Sequence, residues 1–163
     1  MALFVHIAAL KDTRAIRRAG IKAALVNRQI PQGVFAMPML PNYFSSHQWV
    51  RELKRNGQRQ MCGIYFRLAD DEPIWVGRYN QAHTLMTAAE AVAQLQGLEN
   101  AQGYEVIIPH SIDAKAITRI RTLPHIGWRY FPSAHQRRPC GCPACLARGE
   151  IKSQRIRRAY EGE

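Results

Sequence analysis

The chain has 163 residues, 47% of them apolar, which supports one domain with a substantial core plus a small appendage and argues against disorder throughout. No apolar run nears the ~20 residues of a membrane-spanning helix. The formal net charge of +11 is uneven: residues 1–60 carry ten Lys/Arg against two Asp/Glu, residues 61–134 six against seven, and residues 135–163 seven against three. Such basic ends favour a polyanionic partner, nucleic acid ahead of an anionic membrane surface or mere solubility, because Lys and Arg displace counterions from phosphates.

The opening LFVHIAAL (3–10) follows no basic stretch and precedes no small-residue cleavage site, so it reads as a core strand of a cytoplasmic protein and not a leader. His6 lies within it, where a buried ring must find a hydrogen-bond partner. Asp12 is a good N-cap for a helix over TRAIRRAG that Gly20 terminates. GVFAMPML (33–40) reads as a strand interrupted at Pro38, and Ser45 or Ser46 can cap a helix through Lys54.

QMCGIYFRL (60–68) is a candidate central strand, and PIWVGRY (73–79) a second one after the acidic turn Asp70-Asp71-Glu72. Thr87 and Glu90 form a capping box, which predicts a helix from Ala88 to about Gln96 closed by Gly97. In GYEVIIP (103–109), the β-branched run Val106-Ile107-Ile108 suits a strand covered on both faces, and Pro109 ends it. Glu105 then stands as a carboxylate at the mouth of an apolar strand. DAKAITRIRT (113–122) reads as a helix from an Asp113 cap, and HIGWRYF (125–131) as a last strand. Strands and helices mix without a βαβ repeat, which predicts an α+β domain over residues 1–134 with a curved, largely antiparallel sheet and flanking helices.

Residues 135–163 form a distinct Cys-rich segment with a basic tail. Cys140, Cys142 and Cys145 stand at C-x-C-x2-C spacing, and a turn through Gly141 and Pro143 can gather their thiolates around a structural Zn2+ in a small knuckle. A reduced thiol cluster or a redox role are the other readings. The nearest fourth ligand is His135, with His125 and Cys62 further off. Lys152, Arg155, Arg157 and Arg158 lie on a predicted short helix suited to phosphate contacts. Trp128, Arg129, Tyr130 and Phe131 just ahead of the knuckle offer stacking surfaces for unpaired bases.

Three stretches occur in an order that resembles the ADP-ribosyltransferase superfamily, closest to its DarT-like nucleic-acid-modifying branch. VHIAALKDTRAIRRAGI resembles the first motif, GVFAMPMLPNYFSSHQWV is similar to the second, and YEVIIPHSIDAKAITRI resembles the third. The resemblance implies NAD as substrate, His6 against the adenosine-side ribose, and the backbone beside Ile7 and Ala8 on the nicotinamide amide. It implies Phe35 in the slot of the usual stacking tyrosine, with Tyr43 a nearby substitute, and Glu105 as the catalytic carboxylate. Phe35 keeps the π-face but loses the hydroxyl, and Ala8 replaces a small polar residue common among relatives.

Cleaving the nicotinamide–ribose bond builds positive charge on the ribose, which a nearby carboxylate stabilises more in the transition state than in the ground state. The expected function is therefore an NAD-dependent ADP-ribosyltransferase acting on DNA or RNA at unpaired bases. It fits a toxin or defence effector, and an antitoxin or immunity protein is a possible partner. The competing readings are a zinc-stabilised nucleic-acid-binding protein without activity, and an ADP-ribosyltransferase with a protein target.

Overall fold

A computed structural model describes residues 1–50, 53, 60–79 and 81–123. It is an α+β fold built on an eight-stranded antiparallel sheet. The strands are β1 (Ala2–Ala9), β2 (Ala24–Leu25), β3 (Gln32–Pro38), β4 (Met61–Leu68), β5 (Pro73–Arg78), β6 (His83–Thr87), β7 (Tyr104–Ile108) and β8 (Ile117–Thr122). The described helices are α1 (Thr13–Ala19), the single turn α2 (Tyr43–Ser46) and α3 (Ala88–Gly97). The sheet runs β6-β5-β7-β3-β1-β4-β8, with β2 paired to β3. No described helix is long and apolar enough to cross a membrane.

Register assigns side chains to two faces, because paired residues share a face and successive residues alternate. One face carries Phe4, Ile64, Phe66, Val34, Ala36, Val106, Ile108, Ile74 and Val76, all buried, and they cluster with Ile16 of α1 and Ala88, Ala91 and Leu95 of α3. The other carries Val5, Ile7, Phe35, Met37, Glu105, Ile107, Gly77, His83 and Tyr65. Val106, Ile107 and Ile108 are all fully buried, as their continuous apolar run predicts for a strand covered on both sides.

α3 begins as its sequence predicts. The Thr87 hydroxyl accepts from the Glu90 N–H, while the Glu90 carboxylate accepts from the Thr87 N–H. Gly20 ends α1 with φ +74°, its N–H reaching the Ile16 carbonyl, and a Cβ there would run into the Ile112 carbonyl. Asp12 does not use its side chain as a cap; instead the Thr13 hydroxyl donates to the Leu10 carbonyl at the preceding 3-10 turn.

Two further expectations are corrected. The turn α2 starts at Tyr43, ahead of Ser45 and Ser46, and the Ser46 hydroxyl accepts from the Leu40 N–H at 2.8 Å, so it ties the turn to the end of β3 without capping a helix; Val50 and Leu53 are helical, and the rest of the expected helix through Lys54 lies outside the described residues. The stretch 113–122 is not helical beyond a 3-10 turn at Ala114–Ala116, where Asp113 caps Lys115. Ile117, Thr118, Ile120 and Thr122 are β-branched and favour the edge strand β8 on β4, with a bulge at which the Thr118 hydroxyl donates to the Tyr65 carbonyl. The strand expected over 125–131 and the knuckle lie outside the described residues.

Candidate active site

β1 is treated differently on its two edges. Against β4 it is paired throughout, from Ala2–Leu68 to Ala9–Met61, whereas against β3 the pairing is Phe4–Pro38 and Val5–Met37 and then stops. The Gln32–Gly33 end of β3 pairs instead with β2. Continuing the ladder would require the Phe35 carbonyl to accept from the Ile7 N–H. That carbonyl instead meets His6 Nδ1 at 2.7 Å. The Leu3 carbonyl accepts from the Met39 N–H, so by strand alternation Leu3, Val5 and Ile7 direct their main-chain groups towards β3. Ile7 thus presents its N–H and C=O at the point where the two strands part.

The contact also fixes the state of His6. A carbonyl can only accept, so Nδ1 carries the hydrogen, and burial lowers the ring's pKa, which keeps it neutral. Nε2 is then left as an acceptor for a hydroxyl. By register His6 belongs to the pleat of Phe4, opposite that of Glu105. No hydrogen bond or ion pair joins His6 to Glu105 among the described residues.

Phe35 is opposite Ile107, and Glu105 is its diagonal neighbour on the same face, which puts their Cβ atoms on the order of 7 Å apart. Phe35 is 42% exposed although it belongs to a central strand, so its ring offers an open apolar face. The Glu105 side chain is only 13% exposed, and burial raises its pKa from the ordinary 4.5 to about 7. It therefore exchanges a proton near neutrality, which suits a general base.

Glu105 has a neighbour that the sequence did not announce. His83 Nε2 lies 3.1 Å from Glu105 Oε1, and the His83 side chain is 2% exposed. The approach is off-line, and neither ring nitrogen has an aligned hydrogen bond. Gly77 makes room for it: Gly77 is paired with both Glu105 and His83, and a Cβ there would come within 2.8 Å of the imidazole.

Tyr43 belongs to a separate aromatic group on that face. Its ring stacks on His47 with centroids 4.0 Å apart. His47 Nδ1 donates to the Tyr43 carbonyl, so Nε2 accepts from the Tyr65 hydroxyl at 3.0 Å. Gln48 donates to the Ala101 carbonyl and accepts from the Gly103 N–H, and Trp49 donates to the Tyr104 carbonyl. These bonds fasten the segment after β3 to the entry of the Glu105 strand. Ile7 packs with Val50, Met61 and Leu123, so the same segment also reaches β1. Exposed Arg67, Arg119 and Arg121 lie on this face too, Arg119 opposite Tyr65 and Arg121 opposite Gly63.

Of the residues singled out in the sequence, His6, Ile7, Phe35 and Glu105 fall on the three adjacent strands β1, β3 and β7, with Ala8 following in β1 against Cys62. Cys62 is fully buried with its thiol towards the Ala8 carbonyl, which suits a small core residue and not a metal ligand. Trp128, Arg129, Tyr130, His135, Cys140, Cys142, Cys145, Lys152, Arg155, Arg157 and Arg158 lie outside the described residues. Comparison of the chain with protein-family models, with curated proteins and with solved structures gives no match in any of the three.

Proposed function

We propose that the protein is an NAD-dependent ADP-ribosyltransferase that modifies nucleic acid. The observation that carries this reading is the opening between β1 and β3, with a main-chain donor and acceptor at Ile7, an exposed aromatic face at Phe35, and a largely buried carboxylate at Glu105 beside it. A flat ring bearing a carboxamide satisfies all three. Its amide pairs with the Ile7 main chain, its ring stacks on Phe35, and the ribose bond to its nitrogen faces the carboxylate. His6 Nε2 accepts from a ribose hydroxyl.

In the reaction the bond from ribose C1′ to the nicotinamide nitrogen breaks, and its electron pair neutralises the pyridinium. An acceptor nitrogen or oxygen forms the new bond to C1′ and gives its proton to Glu105. The carboxylate stabilises positive charge on the ribose as it develops. Nucleic acid is favoured as acceptor by the +11 net charge and by the three exposed arginines on the Glu105 face. Unpaired bases are the accessible targets, since a duplex hides them.

Incubation with labelled NAD and single-stranded DNA or RNA tests this. The expected result is nicotinamide release with label on the nucleic acid, more on single strands than on duplex, and falling steeply with salt. Label on protein alone transfers the proposal to a protein acceptor. Tight nucleic-acid binding with no NAD cleavage favours a purely binding role.

A further inference from the structure

His83 takes no part in the steps above, yet the fold goes to some length to hold it against Glu105. Gly77 clears space for the ring, and Gln29 clamps the His83 main chain, donating to its carbonyl at 3.0 Å and accepting from its N–H at 3.4 Å. The ring is closed off from water while both its nitrogens lack an aligned partner, an arrangement that core packing alone disfavours. Its polar surroundings are spare. β5 contributes Gly77, β7 contributes Glu105, the turn ahead of β6 contributes the Gln81 carbonyl, and Gln29 is neutral.

We propose that His83 is the positioning residue of Glu105 and receives the proton that Glu105 takes from the acceptor, an inference that rests on the transfer chemistry proposed above. The acceptor N–H or O–H proton passes to the Glu105 carboxylate as the bond to C1′ forms and nicotinamide leaves with the electron pair. It then moves from Oε1 to Nε2 of neutral His83, leaving a carboxylate and an imidazolium. Once product departs, the proton returns from Nε2 to Glu105, the more exposed of the two, and from there to solvent. Burial favours the neutral form of each partner, lowering the imidazole against an opposing contact with the Gln81 carbonyl and raising the carboxyl to about 7, so the 3.1 Å Oε1–Nε2 contact joins two groups that both exchange protons. Among the described residues no other charged side chain enters either shift.

Two measurements test it. The first needs no activity: His83 is titrated by NMR in the wild type and in Glu105→Gln. Its signal is expected to show a step near pH 7 that reports Glu105 and is missing from the variant. A curve with no such step in the wild type overturns the pairing. The second follows NAD cleavage against pH in His83→Gln, where the rising limb is expected to move up by about one unit and turnover to fall by up to ~10-fold at neutral pH with KM for NAD unchanged. A uniform loss at every pH marks a structural role and overturns the proposal. A wild type that cleaves no NAD, with a coupled titration, overturns the transferase reading and the relay built on it but leaves the pairing standing. An uncoupled titration in an active enzyme removes His83 alone.

Discussion

The two edges of β1 set a closed seam beside an open one. Towards β4 every residue of the strand is paired, and Cys62, Ile64 and Phe66 behind that seam are fully buried. Towards β3 the ladder stops after Val5, and the next carbonyl it would have used is held by the ring of His6. One strand thus anchors the core along one edge and leaves the Ile7 main-chain groups without a β3 partner along the other. Free strand edges invite another strand to pair. Here the gap is bridged by His6, and the segment after β3 packs against Ile7.

Changes at the open seam should alter chemistry more than stability, and changes at the closed seam the reverse. The largest expected effect is on the open side. Glu105→Gln keeps the volume and removes the charge, so NAD cleavage should fall by ~10²–10⁴-fold, measured as nicotinamide release. Stability should move the other way. The folded state raises the carboxyl from 4.5 to about 7, so the wild type binds its proton more tightly when folded and loses stability as pH rises between those values. The variant has no such loss, and its advantage in denaturant should be absent below pH 4.5 and reach at most about 3.4 kcal/mol above pH 7, from ~1.4 kcal/mol per unit. A variant that remains fully active rejects Glu105 as the catalytic group.

On the closed side, Phe66→Ala removes a fully buried ring that stacks on Phe4 with centroids 6.3 Å apart. It should cost ~3–5 kcal/mol by denaturant titration, while KM for NAD in the remaining folded protein stays near the wild-type value. Phe35→Ala is the matching open-side change. Because Phe35 is 42% exposed, the stability cost should be well below that of a core phenylalanine. The lost stacking, on the order of 1 kcal/mol, should weaken NAD binding about fivefold in calorimetry. Equal stability losses at Phe35 and Phe66 would erase the distinction between the seams.

The sequence makes the closed seam more legible than the open one. Hydrophobic runs locate β1, β3, β4, β5 and β7, and Thr87 with Glu90 locates α3, because burial and capping are local demands written into adjacent residues. Glu105 at the mouth of β7 is visible for the same reason. β8 is misread because Asp113 is a real cap but of a single turn, after which pairing with β4 overrides the apparent helical pattern. His83 is missed because its partner is non-local. Recognising β6 would have placed it opposite Gly77 in the hairpin, but its contact with Glu105 requires β7 to lie on the far side of β5, which no local pattern specifies. The gap beside Ile7 is likewise a property of two strands diverging, and neither strand encodes it alone.

The smallest expected effect is at Cys62, and it probes the closed seam most directly. The thiol lies one pair from the end of the β1–β4 ladder, opposite Ala8, with Sγ 3.5 Å from the Ala8 carbonyl and 3.8 Å from that of Ala9. Burial raises its pKa, the Ala8 contact opposes this, and Asp12 adds to it, so the thiolate that reacts with alkylating agents is scarce as well as enclosed. Native protein should therefore label at Cys62, identified by peptide mass, only as fast as the domain unfolds. Cys62→Ser retains a donor for the same carbonyls but puts a hydroxyl among apolar side chains, a cost of ~1 kcal/mol that leaves NAD cleavage unchanged. If Cys62 labels in native protein much faster than the domain unfolds, the seam opens locally, and the contrast between the two edges of β1 is one of degree.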